Sequence, residues 1–163
     1  MRPFWKATLP LSMGLAAAGS GVLVGQGEPG PLVRRYAGTL VYDRMLAEPP
    51  IASELGSLLG SARAHLDRNL FVAGSVDLIG DHLAISGNAS HGGGEEEAIV
   101  CIGERPPAVH AAILSQGSIR IYSRVVSYRS LPRCITDWIT QVNSAHRDRF
   151  EQPANVELKR PSP

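Results

Sequence analysis

Residues 70–86 read LFVAGSVDLIGDHLAIS, and this stretch sets the fold class. Upstream of it, apolar residues recur at helical spacing. Within it, Leu70–Ile79 and His82–Ser86 read as two strands joined by the two-residue turn Gly80-Asp81, a hairpin signal. Leu83 and Ile85 alternate with His82 and Ala84, the period of a half-buried strand. A loop, Gly87–Gly94, follows and carries the run Gly92-Gly93-Gly94. Ala98–Ile102 is apolar throughout and reads as a third, central strand. Pro106-Pro107 opens a short helix through Leu114, closed by Gly117. Ser118–Val126 is a fourth strand. Pro132 opens a last helix, with Ile135, Trp138, Ile139 and Val142 as its apolar stripe.

Before residue 70 the reading is helical. Ile51, Leu55, Leu58, Leu59, Ala62 and Leu66 form one stripe, which predicts a helix over 51–66. A looser helical stretch, Leu32–Leu46, precedes it, with Pro49-Pro50 between the two. The element order implies an α+β fold, with helices packed on one face of a roughly four-stranded sheet.

The N-terminal end states topology. Ala7–Gly27 carries no charge and begins right after Arg2 and Lys6. As a helix this run reaches roughly 31 Å, enough to cross a hydrocarbon core. One reading is a transmembrane anchor whose small residues Ala17, Gly21 and Gly25 share a face for helix contact. The other is a signal peptide cleaved after the A-x-A pattern Ala16-Ala17-Ala18. The short basic flank places the main domain on the non-cytoplasmic side. The chain then divides into residues 1–27 (anchor or signal), 28–50 (linker and juxtamembrane helix), 51–145 (α+β domain) and 146–163 (a polar, proline-containing tail read as disordered).

A short basic N-terminus, one Gly-rich span and a juxtamembrane helix lead through Leu46-Ala47-Glu48-Pro49 to Glu54-Leu55-Gly56, before a hairpin and a strand. Over residues 8–103 this pattern resembles the Coa-type cytochrome oxidase assembly factors and related inner-membrane import subunits. The resemblance implies a non-enzymatic single-pass protein of a mitochondrial or bacterial inner membrane, touching membrane-protein subunits as they assemble. Residues 104–145 depart from the pattern, and no functional residue is carried over.

Composition excludes more chemistry than it suggests. Lys and Arg total 16 against 15 Asp and Glu, a net charge of +1, so no nucleic-acid partner is expected. No G-x-S-x-G, P-loop or dinucleotide fingerprint occurs, and no cofactor is expected. His65, His82, His91, His110 and His146 are scattered, without metal-ligand spacing. Glu95, Glu96 and Glu97 read as a solvated approach to a strand. Cys101 and Cys134 are the only cysteines. They form a disulfide in an oxidising compartment, or two buried thiols, or Cys101 is a nucleophile with His82 or His110 beside it. From Arg105 to Arg133 inclusive there are five arginines and no acidic residue. On the fourth strand Arg120, Tyr122 and Arg124 share one face, a solvated surface or a docking face for an acidic protein or anionic headgroups.

Three functions remain open from sequence. The main one is a membrane-anchored assembly or accessory factor, contacting other proteins through Ala17/Gly21/Gly25 and Arg120/Tyr122/Arg124. The second is a cleaved, secreted or periplasmic binding domain stapled by Cys101–Cys134. The third is an envelope hydrolase using Cys101.

Overall fold

The structure, a computed structural model, describes residues 28–143 and 150–160. Five helices and seven strands form an α+β domain, the fold class expected. Helices α1 (Pro31–Tyr36), α2 (Tyr42–Leu46), α3 (Pro49–Leu59) and α4 (Arg63–Asn69) come first. Strands β1 (Val72–Ala73), β2 (Asp77–Ile79), β3 (His82–Asn88), β4 (Glu96–Glu104), β5 (Pro107–Ser115) and β6 (Ser118–Tyr122) follow, then α5 (Arg133–Val142) and β7 (Val156–Lys159).

The strands form one sheet in the order β1-β3-β4-β5-β6-β7, with β2 also on β3. All pairings are antiparallel except β6–β7. The hairpin turn Gly80-Asp81 stands where the sequence places it, between Ile79 and His82. The run 70–79, expected as one strand, is broken. Ala73 pairs with Gly87 but Asp77 with Ala84, so the register slips by one residue, as at a β-bulge. Val76 spends its backbone elsewhere, donating to Thr39 O at 2.8 Å and accepting from Gly38 N at 2.7 Å.

Three helical expectations are corrected. The helix over 51–66 is two, α3 and α4, broken at Gly60, whose φ of +50° suits only glycine. The stretch 32–46 is also two, broken at Gly38 with φ +76°. The helix expected from Pro106-Pro107 to Leu114 is strand β5. Its run Pro107–Ser115 is buried on both faces and mostly apolar, because β5 lies inside the sheet between β4 and β6. Such a run carries no period that separates buried strand from buried helix. Pro107 is tolerated as its first residue.

Helices cover both sheet faces, not one. Leu83, Ile85, Ala98, Val100, Ile102, Val109, Ala111 and Ile113 face α1–α4 and pack on Met45, Leu55, Leu58 and Leu66. Ile99, Cys101, Ala112, Leu114, Ile119 and Ile121 face α5 and pack on Cys134, Ile135, Trp138 and Ile139. The residues expected as a linker and juxtamembrane helix, 28–50, contribute Tyr36, Met45 and Leu46 to the core. The tail expected to be disordered supplies β7, with Val156 opposite Ile119 and buried against α5's layer.

Candidate functional site

The β3–β4 connection holds one of the two described non-glycine residues with positive φ. Asn88 pairs with Glu97, and the residues between them make a tight, exposed loop. Its hydrogen bonds are internal. Gly92 N donates to Ala89 O at 2.9 Å, Glu96 N to Gly92 O at 2.8 Å and Ala89 N to Glu96 O at 3.0 Å. Asn88 Nδ2 donates to Ala89 O and Gly94 N to the Glu97 carboxylate. A Cβ on Gly92 would lie 3.1 Å from the Cβ atoms of both Ala89 and Glu96, so glycine permits the close turn. Ser90 and His91 are exposed at the tip.

His91 has φ +59°, a region that disfavours side chains other than glycine. The other described non-glycine with positive φ, Gln116, sits with Gly117 in the two-residue β5–β6 turn, where such geometry is ordinary. At His91 it belongs to the β-turn that the Gly92 N–Ala89 O bond closes over residues 89–92, whose third position takes a positive φ and turns the His91 side chain out at the loop tip.

Below the loop, Glu96 joins three elements. Its Oε2 accepts from His65 Nε2 at 2.7 Å and from Asn69 Nδ2 at 3.2 Å, both on α4. Its Oε1 accepts from Ser115 Oγ at 2.6 Å. Partial burial raises the Glu96 pKa, but the hydrogen bonds from Ser115, His65 and Asn69 outweigh it and hold the carboxyl below its ordinary range.

A second polar cluster lies at the opposite end of the sheet. His82 Nδ1 is 2.6 Å from Asp81 Oδ1, and His110 Nδ1 is 2.6 Å from Ser123 Oγ. The His82 hydrogen bond holds the Asp81 carboxyl low. Burial, with help from the nearby His82, pushes the His110 imidazole down to about 4. Beside it opens a cleft of about 720 Å³, lined by Leu32, Ile51, Ile102, Val109, Glu104 and Arg124 among others.

The residues singled out from sequence are dispersed. Ala17, Gly21 and Gly25 lie outside the described residues. Arg120 is exposed on β6, and Tyr122 is half-buried against the α1–α4 layer. Arg124 lies past the end of β6 and is held by Glu54 on α3, with Nη2 also 3.1 Å from Ser57 Oγ. Cys101 and Cys134 are joined as a disulfide, both almost fully buried. Cys101 therefore has no free thiol, which removes the cysteine-hydrolase reading. His91 and Glu96 were not legible as a site. One histidine in a Gly-rich loop carries no motif, and Glu96 is one of three consecutive glutamates.

A family model described as inhibitor of vertebrate lysozyme (Ivy) matches residues 50–145, more than half of the chain. The chain belongs to the Ivy family. No curated protein and no solved structure matches it. The Ivy match runs from α3 through α5 and includes the β3–β4 loop. It overturns the resemblance to the Coa-type oxidase assembly factors and the assembly-factor role that came with it. That resemblance rested on chain layout and short segments, which unrelated exported proteins share. Among the described residues no helix is long and apolar enough to cross a membrane. The run Ala7–Gly27 lies outside them. An Ivy-family chain is a protein-binding domain, and its disulfide matches the stapled binding domain held as an alternative.

Proposed function

We propose that this Ivy-family chain is an exported, periplasmic, non-enzymatic inhibitor of lysozyme, and that the β3–β4 loop enters the substrate cleft. The observation that carries the reading is the exposed, internally bonded loop that presents His91 at positive φ. Lysozyme cleaves glycosidic bonds between two carboxyl groups. A blocking element must be narrow, ordered before contact, and free of like charge. Residues 89–94 fit, since they contain no acidic side chain and offer the Ser90 hydroxyl and the His91 imidazole. An imidazole facing a carboxylate gains a charge-assisted hydrogen bond when protonated. The buried disulfide suits an oxidising compartment. Residues 1–18 would act as the export segment, cleaved after Ala18, and residues 28–160 as the body that binds.

His91→Gly tests this reading. Glycine accepts the native φ without strain, so thermal stability should hold or rise. Lysis of bacterial cell walls by a vertebrate lysozyme should be inhibited by the native protein and at least about tenfold less by the variant, about 1.4 kcal/mol of lost binding. Equal inhibition by both proteins would sink the loop reading.

A further inference from the structure

We infer that Glu96 is the positioning residue of the inhibitory loop, locking α4 and the β5–β6 hairpin onto its base so that His91 is presented in one conformation before lysozyme arrives. The inference rests on the loop reading above. Three of the six residues 89–94 are glycine, so the loop has much conformational freedom to lose. Glu96 removes it from two sides. Its backbone N–H and C=O both bond into the loop, to Gly92 O and from Ala89 N. Its carboxylate takes donors from α4 and from β5, with Arg68 Nη2 a further 3.8 Å away. Asn69 fixes the same corner. It is fully buried, and its Nδ2 also reaches Glu97 O and Leu114 O, both at 3.2 Å.

The arrangement exceeds what the fold requires. Glu96 faces the α1–α4 layer, in line with Ala98, Val100 and Ile102. An apolar residue there would continue that core at no desolvation cost, whereas a partly buried carboxylate is weak as a source of stability. What the carboxylate adds is direction, because its acceptors fix the loop base relative to two neighbouring elements. A loop that is competent only part of the time binds with its affinity reduced by that fraction.

The test compares native protein, Glu96→Gln and His91→Gly for association rate and inhibition with a vertebrate lysozyme, well below each melting temperature. Amide hydrogen exchange is followed in the same proteins. Glutamine keeps the size but turns an N–H₂ toward the Ser115, His65 or Asn69 donors. Glu96→Gln should slow association about tenfold, as a less populated competent loop requires. Exchange should accelerate at Glu95 and Glu96 N–H, while β4 and β5 core amides keep their native rates. A purely structural role would lower the melting temperature and leave the association rate of the folded protein unchanged. Native association by Glu96→Gln, with His91→Gly impaired, overturns this inference alone. A native protein that inhibits no lysozyme overturns the parent reading and this one together. If Glu96→Gln does not fold, Ser115→Ala removes one donor from the bracket. It should show the same two changes at smaller size, and native values in both would overturn the inference.

Discussion

Replacing the Cys101–Cys134 disulfide by two alanines should cost about 5 kcal/mol, and the figure follows from where the bridge sits. It joins β4 in the middle of the sheet to the first turn of α5, across 33 residues of sequence. Closing a loop of that length restricts the unfolded chain by about 3.7 kcal/mol in the chain-entropy treatment. Both sulfurs are buried in the layer between the sheet and α5, so truncation to alanine adds a packing loss on the order of 1 kcal/mol. Domains of this size are stable by about 5–15 kcal/mol, so the loss is a large share of the total. The melting temperature should fall by about 15 °C. Trp138 is buried on α5 within the same cluster and reports the transition by fluorescence. The assay is urea unfolding of native protein and of the Cys101→Ala/Cys134→Ala double variant, each with and without reductant. Reductant should bring the native protein close to the variant and leave the variant unmoved. Intact mass should rise by two hydrogens on reduction. A native protein that loses less than about 1 kcal/mol on reduction would refute the reasoning.

Two further outcomes follow from the geometry. His110 is buried with its pKa pushed down to about 4, against 6.5 for the free side chain. The unfolded state therefore binds the proton first as pH falls, so stability should drop between about pH 6.5 and 4, by up to about 3 kcal/mol. His110→Gln should flatten that part of the pH profile, and an unchanged slope in urea titrations would contradict the burial argument. Gly87→Ala should destabilise by about 1–3 kcal/mol, because its Cβ would meet Val72 O at 2.8 Å and Ala73 Cα at 3.0 Å on the edge strand. Thermal melts within about 0.5 kcal/mol of native would show that the β1 edge yields freely.

What could be read from sequence tracks the length and purity of each pattern. The 80–81 hairpin and α5 were legible, the first from a two-residue turn between alternating runs, the second from a full apolar stripe behind Pro132. β5 was not, because a strand buried on both faces loses its alternation. β7 alternates over Val156-Glu157-Leu158-Lys159, but four residues in a polar tail give no pattern without the partner strand β6. Gly60 and Gly38 could have marked the helix breaks. The β3–β4 loop was hidden for a different reason. Its informative features are a positive φ at His91 and a convergence of Ser115, His65 and Asn69 on Glu96, residues up to 50 apart in the chain. The strand period offers a partial signal, since carrying the β4 alternation back from Ala98 puts Glu96, not Glu95 or Glu97, on the side of α1–α4.

On the reading proposed here, lysozyme seats on the β3–β4 loop end of the sheet. Amide hydrogen exchange of the protein alone and with saturating vertebrate lysozyme tests it most directly. New protection should be confined to residues 88–96 and the neighbouring β5–β6 turn. Protection instead at the opposite end, around Glu104–His110 and Arg124, with the loop unchanged, would contradict it.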